Sequence, residues 1–169
     1  MDDPVVSGIR PLNRSGEAAE CAELMLRSEP WITLGLRRET ALAALIDPDK
    51  EVYAIRDDRG VAGFVVVDMR GLVTGYIQIL CVRPDRRSEG IGSALLRWAE
   101  ERIFRDSPNA FICVSSFNAG ARRLYERLGF EMVGVLRELL VRGHDEILLR
   151  KTRGTWTEFR ERSRGGSTC

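Results

Sequence analysis

The stretch Arg87-Ser88-Glu89-Gly90-Ile91-Gly92-Ser93 constrains this chain most. An apolar run from Tyr76 to Val82 precedes it, and an amphipathic run from Ile91 to Phe104 follows. In a strand, basic glycine turn and helix, the first N–H groups of the helix have no intrahelical partner, and the helix dipole adds partial positive charge there. Such a place accepts an anion. Glycines let a phosphate approach the backbone with no Cβ in the way. Two phosphate loops fail to match. A P-loop needs Gly-Lys-Ser/Thr, but Gly92 is followed by Ser93 and Ala94. A dinucleotide fingerprint needs a third glycine where Leu95 stands, and it belongs early in a βαβ unit.

Composition narrows the setting. A chain of 169 residues, 44% apolar and 30% charged, fits one globular domain with a substantial core. A net charge of +1 gives no global field toward nucleic acid or membrane. The apolar runs fall far short of the ~20 residues a membrane span needs. The start, Met1 to Pro4, lacks the basic and apolar regions of a signal peptide. Cys21, Cys81, Cys113 and Cys169 are scattered with no C-x-x-C pair, and His144 is the single histidine. No protein-only zinc site is expected; the thiols read as reduced, in a cytoplasmic protein.

Along the chain, Val5–Arg10, closed by Pro11, reads as a strand. The next helix is capped by Asn13 or Ser15, carries Glu17 and Glu20 near its positive end, and is ended by Pro30. Trp31, in the apolar connection before a second helix over Arg38–Ile46, is either packing or part of a substrate wall. Glu51–Arg56, Val61–Met69 and Tyr76–Val82 form a strand meander, with Asp57 to Gly60 as its first turn. After the helix from Ile91, Ala110–Val114 is a continuous apolar strand. A helix capped by Asn118 stops at Gly129. Glu131–Leu136 and Glu146–Lys151 are the last strands, with Arg142 to Asp145 as their turn. The folded domain is expected over residues 1–151 and a flexible tail over 152–169, on which Trp156 and Phe159 are candidates for docking.

Two blocks carry a family resemblance. Arg87-x-x-Gly90-x-Gly92, after a strand ending Cys81-Val82-Arg83-Pro84, resembles the acetyl-CoA signature of the GNAT family of N-acetyltransferases. Asn118 to Phe130, containing Arg122-Arg123-Leu124-Tyr125-Glu126-Arg127-Leu128-Gly129-Phe130, is similar to the family's helix bearing the catalytic tyrosine. The chain is most similar to the small bacterial branch that includes ribosomal-protein alanine acetyltransferases. The resemblance implies an α/β fold in a single domain: a mixed, mostly antiparallel sheet of about seven strands flanked by four helices, its central strands splayed. It also implies acetyl-CoA as co-substrate, an amine acceptor (a peptide N-terminus or a small amine), no metal, and a homodimer as an assembly state common in the family.

By resemblance, the pyrophosphate lies on Gly90, Ile91, Gly92 and Ser93, with Arg87, Ser88 and Glu89 in the same turn. Cys81 and Val82 hold the pantetheine arm through their backbone. Asn118 either touches the cofactor or only caps its helix. Tyr125, on an apolar helix face, is a core aromatic or the acid that protonates the leaving thiolate. Gln78 and Cys113 stand where relatives carry a carboxylate or histidine base. Gln78 is substrate-facing or a paired core amide, and Cys113 is a small buried hydrophobe. Glu138, His144 and Glu146 are the other base candidates, and Trp31, Leu34 and His144 the candidates for the acceptor wall. The missing carboxylate also motivates a second reading, a catalytically weak acyl-CoA-binding sensor.

Overall fold

The computed structural model describes residues 8–71 and 73–165. Seven strands and five helices follow in the order β1 (Arg10–Pro11), α1 (Arg14–Leu26), α2 (Arg38–Ile46), β2 (Lys50–Asp57), β3 (Gly60–Asp68), β4 (Tyr76–Val82), α3 (Ile91–Ile103), β5 (Asn109–Ser115), α4 (Ala119–Arg127), β6 (Glu131–Val141), β7 (His144–Thr152) and α5 (Trp156–Gly165). The strands form one sheet in the order β1-β2-β3-β4-β5-β7-β6. Every neighbouring pair is antiparallel except β4 and β5. This is the mixed, mostly antiparallel sheet of seven strands that the family resemblance implies. Of the first strand, Val5–Ser7 lies outside the described residues.

Each face of the sheet buries its own core. Cys21, Met25 and Leu45 of α1 and α2 pack under Phe64, Val66 and Ile79. Leu95, Leu96 and Ile103 of α3 cover the other face with Val65, Val67, Ile77, Ile112 and Leu149. β3 lies between the two layers and is buried from Gly60 to Val67, so it has no polar alternation. A Cβ on Gly63 of β3 would meet the Cys81 carbonyl at 2.9 Å and Leu95 Cδ1 at 3.0 Å. The glycine thus lets α3 approach the sheet.

The start of α1 departs from the expected cap. Asn13 occupies the cap position, but its side chain caps nothing and accepts from Ser15 Oγ at 2.9 Å. Glu17 takes over: its Oε2 accepts from the Asn13 N–H at 2.9 Å, and Arg10 and Arg56 donate to Oε1 at 2.6 and 3.0 Å. The Arg10 guanidinium, above all, holds the Glu17 carboxyl down to about 2. Beyond residue 152, the chain forms the fifth helix, α5, where no element was expected. Trp156 and Phe159 meet edge to face on it, with ring centroids 5.9 Å apart.

Candidate active site

The two central strands part company. β4 and β5 pair only through Tyr76–Phe111 and Ile77–Ile112, and beyond these residues the ladder stops. The wedge opens into a cleft of about 610 Å³ lined from both strands, the Arg87–Ser93 turn and α4. A β-bulge sharpens it. Val66 pairs with Ile79 and Val67 with Ile77, which leaves Gln78 without a partner on β3. Gln78 is exposed and lines the cleft, so it is not a paired core amide.

The bulge and the ladder fix which backbone groups face the wedge. The Arg83 N–H donates to the Ala62 carbonyl at 2.9 Å, and Cys81 lies opposite Phe64. Antiparallel alternation then commits the main-chain groups of Cys81 to β3 and turns those of Leu80 and Val82 toward the opening. The side chain of Cys81 is buried, which pushes its thiol up to about 12.

At one end of the cleft lies the glycine turn. Gly90 caps α3 at φ +86°, a left-handed conformation that favours glycine. Its carbonyl accepts from Ala94, and the N–H groups of Ile91, Gly92 and Ser93 have no protein partner among the described residues. The surrounding arginines are not equivalent. Arg83 pairs with Asp57 at 2.6 Å and Asp85 at 2.7 Å, and Arg86 with Asp57 at 2.5 Å and Glu89 at 2.8 Å. The guanidiniums, Arg83 first, hold Asp57 down to about 2. Arg87 has no carboxylate partner among the described residues; its Nε reaches only the Val82 carbonyl, at 3.4 Å. Its charge is therefore free for an anion on the turn.

At the other end sit two groups able to move protons. The Tyr125 hydroxyl makes no hydrogen bond among the described residues, although the side chain is 6% exposed and lines the cleft. Burial raises its pKa and keeps it protonated. Glu146 of β7 is 3% exposed. The β5–β7 register places it opposite Ser115, whose Oγ donates to Oε1 at 2.6 Å. Oε2 takes no hydrogen bond among the described residues. Burial raises the pKa of Glu146, against the opposing effect of the Ser115 hydroxyl. Tyr76 and Cys113 complete this end of the cleft.

A family model of the acetyltransferase (GNAT) family matches residues 17–130. The chain belongs to the GNAT family. Its curated relatives include the S-(2-succino)cysteine N-acetyltransferase of Bacillus subtilis (strain 168), 29% identical over 150 residues that span 80% of this chain and 90% of the relative. The fold matches the ribosomal-protein-S18-alanine N-acetyltransferase of Escherichia coli with a TM-score of 0.70 at 20% identity, over 87% of this chain and 94% of that one. It also matches an aminoglycoside 6'-N-acetyltransferase complexed with coenzyme A, with a TM-score of 0.70 at 18% identity, over 85% and 96% of the two chains. The protein is thus an acyltransferase, and the GNAT fold binds acetyl-CoA. The free N–H groups at Ile91–Ser93, the unpaired charge of Arg87 and the open backbone of Leu80 and Val82 suit a ligand with a pyrophosphate and an amide-bearing arm.

Most of the residues singled out from the GNAT resemblance meet in one cleft. Trp31, Leu34, Gln78, Cys81, Val82, Arg87, Ser88, Gly90, Gly92, Ser93, Asn118 and Tyr125 all line it. Trp31 also packs against the α1–α2 core. Asn118 caps α4 by accepting from the Ala121 N–H at 3.2 Å. Glu89, Ile91, His144 and Glu138 do not line the cleft. The Glu89 carboxylate turns to Arg86, and the Ile91 side chain is buried in the core, leaving only its backbone at the turn. His144 begins β7, and its ring lies edge-on to Phe117 with centroids 4.9 Å apart. Glu138 is exposed and accepts from the Gly143 N–H at 2.6 Å, tying the hairpin. Of Glu138, His144 and Glu146, only Glu146 lines the cleft, beside Gln78 and Cys113.

Proposed function

We propose that this GNAT enzyme transfers the acetyl group of acetyl-CoA directly to a primary amine bound beside it in the cleft, with Glu146 as base and Tyr125 as acid. The observation that carries the reading is Glu146: a buried carboxylate in the wedge, with one oxygen held by Ser115 and the other free. A carboxyl whose pKa is raised by burial accepts a proton from an ammonium better than an exposed one does. The Bacillus subtilis relative is named an N-acetyltransferase, which supports nitrogen as the acceptor atom.

Acetyl-CoA supplies an activated acyl carbon. In this reading Ile91, Gly92 and Ser93 bind its pyrophosphate through their N–H groups, with Arg87 beside them. Leu80 and Val82 hold its arm as a neighbouring strand would, and a main-chain N–H there polarises the acyl oxygen. Glu146 takes a proton from the amine nitrogen. As the new C–N bond forms and the C–S bond breaks, Tyr125 gives its proton to the departing sulfur. Holding both substrates in one cleft supplies the entropic advantage of proximity. Gln78, unpaired in the bulge, orients the acceptor. Free thiols at Cys21, Cys81 and Cys113 suit a cytoplasmic setting.

The sensor reading rested on the missing carboxylate at Gln78 and Cys113. Glu146, one strand over, occupies the same wedge, so catalysis is favoured. Purified protein mixed with acetyl-CoA and a panel of amines, with N-acetyl products followed by mass spectrometry, separates the two. The enzyme reading expects a product that depends on both substrates. Thermal stabilisation by CoA without any product would favour the sensor.

A further inference from the structure

The charges that line the cleft sort by structural element. Its lining arginines, Arg86, Arg87 and Arg127, belong to the donor end. Arg86 and Arg87 flank the glycine turn. Arg127 shares a face of α4 with Gly120 and Leu124, and Leu124 lies against Gly92 at the start of α3. The lining carboxylates come from two other elements, Glu29 from the α1–α2 connection and Glu146 from β7. Glu29 is held at the rim by Thr33, whose N–H and Oγ1 donate to it at 3.2 and 3.1 Å. Glu146 lies at the bottom of the wedge.

The same two elements line the cleft with apolar side chains: Pro30, Trp31 and Leu34 from the α1–α2 connection, and Leu139 and Leu140 from the β6–β7 hairpin. The second set is a built feature. Leu136 pairs with Glu146 and Val141 with His144, so the register breaks and the intervening β6 residues are thrown out of the ladder. Glu138 takes φ +47° there, a conformation rare outside glycine. Its N–H donates to Asp145 Oδ1 at 3.0 Å, while its carboxylate accepts from Gly143. The two bonds hold a lip from which Leu139 and Leu140 project, 55% and 60% exposed.

We infer that the acceptor is a primary ammonium carried on an apolar group, with no carboxylate on the carbon beside it. This deepens the proposed amine acetylation and rests on it. Glu29 and Glu146 attract the ammonium, and Trp31, Leu34, Leu139 and Leu140 take the apolar substituent. A neighbouring carboxylate would meet two acids and apolar side chains from these elements, since among the described residues no arginine or lysine of the α1–α2 connection or the β6–β7 hairpin lines the cleft. Like-charge juxtaposition in such a site costs several kcal/mol. A peptide N-terminus with an apolar side chain and a free arylalkylamine share this chemistry; a free amino acid does not.

The test compares phenethylamine, L-phenylalaninamide, a short peptide with N-terminal phenylalanine, L-phenylalanine and ethylamine as acceptors with the full chain. The first three are expected to exceed L-phenylalanine in kcat/KM by on the order of 100-fold. The peptide against phenethylamine then tells a protein N-terminus from a small amine. L-phenylalanine acetylated as well as its amide would overturn the inference while leaving amine acetylation intact. Transfer to none of the five would overturn the underlying reading and the inference with it. The double variant L139S/L140S is expected to raise the KM ratio of phenethylamine to ethylamine about tenfold. Retained stabilisation by acetyl-CoA shows that the variant is folded. An unchanged ratio in that folded variant would also overturn the inference.

Discussion

The Ser115 hydroxyl donates to Oε1 of Glu146 at 2.6 Å across the β5–β7 ladder. The contact explains how a chain with glutamine and cysteine at two expected base positions still puts a carboxylate in the wedge. In the proposed mechanism Ser115 acts through Glu146, as a positioning residue. Its hydrogen bond lowers the pKa of Glu146, while burial raises it. Ser115→Ala removes the lowering influence, so the acidic limb of the pH–rate profile is expected to move to higher pH. The rate at neutral pH should fall several-fold. A limb that stays in place would remove Ser115 from this role.

Tyr125→Phe keeps the ring in the core and deletes only the hydroxyl, the proposed acid. Because the hydroxyl makes no hydrogen bond in the described protein, the fold loses no partner. We expect kcat to fall by about 10²-fold, within the range of general acid catalysis, with acetyl-CoA affinity nearly unchanged. Steady-state kinetics and titration calorimetry check the two halves separately.

The arginines around the glycine turn should separate binding from stability. Arg87→Ala removes the charge without a carboxylate partner and is expected to weaken acetyl-CoA binding about tenfold or more, as for a lost charge-assisted hydrogen bond. Its melting temperature should hardly change. Arg83→Ala removes the guanidinium that bridges Asp57 and Asp85, leaving them only Arg86 and Arg59 as partners, and should lower the melting temperature instead. Calorimetric binding and thermal melts of both variants provide the check.

Glu17 makes stability depend on pH. Its folded pKa of about 2 lies below the unfolded value of 4.5. A depressed carboxylate contributes stability that is present above the unfolded pKa and lost as pH falls through the folded one. Glu17→Gln should cost about 1–2 kcal/mol at neutral pH. It should also flatten the loss of stability between roughly pH 4.5 and pH 2. Urea melts across that range would show it.

Much of this architecture is legible in the residues, and the exceptions share a cause. α2 and β4 take the bounds read from apolar periodicity, and the glycine turn opens α3 as expected. Those features are local. The cap by Glu17 depends on Arg10 and Arg56 arriving from two strands. The bulge at Gln78 depends on the β3 register, and the lip at Leu139 and Leu140 on a break in the β6–β7 ladder. No periodicity encodes such long-range pairings. His144 shows the converse: as the single histidine it is a candidate base by residue type, but its ring lies against Phe117. α5 went unread because its residues are predominantly polar and carry little apolar signal.

The dependence of amine acetylation on pH, measured for the wild-type enzyme and for Glu146→Gln with two amines of different basicity, tests the central claim most directly. The account predicts a wild-type acidic limb above the ordinary carboxylate range, at the same pH with either amine. In the variant that limb should be gone and kcat/KM lowered by about 10²-fold or more. An unchanged rate with the same limb in Glu146→Gln would contradict it.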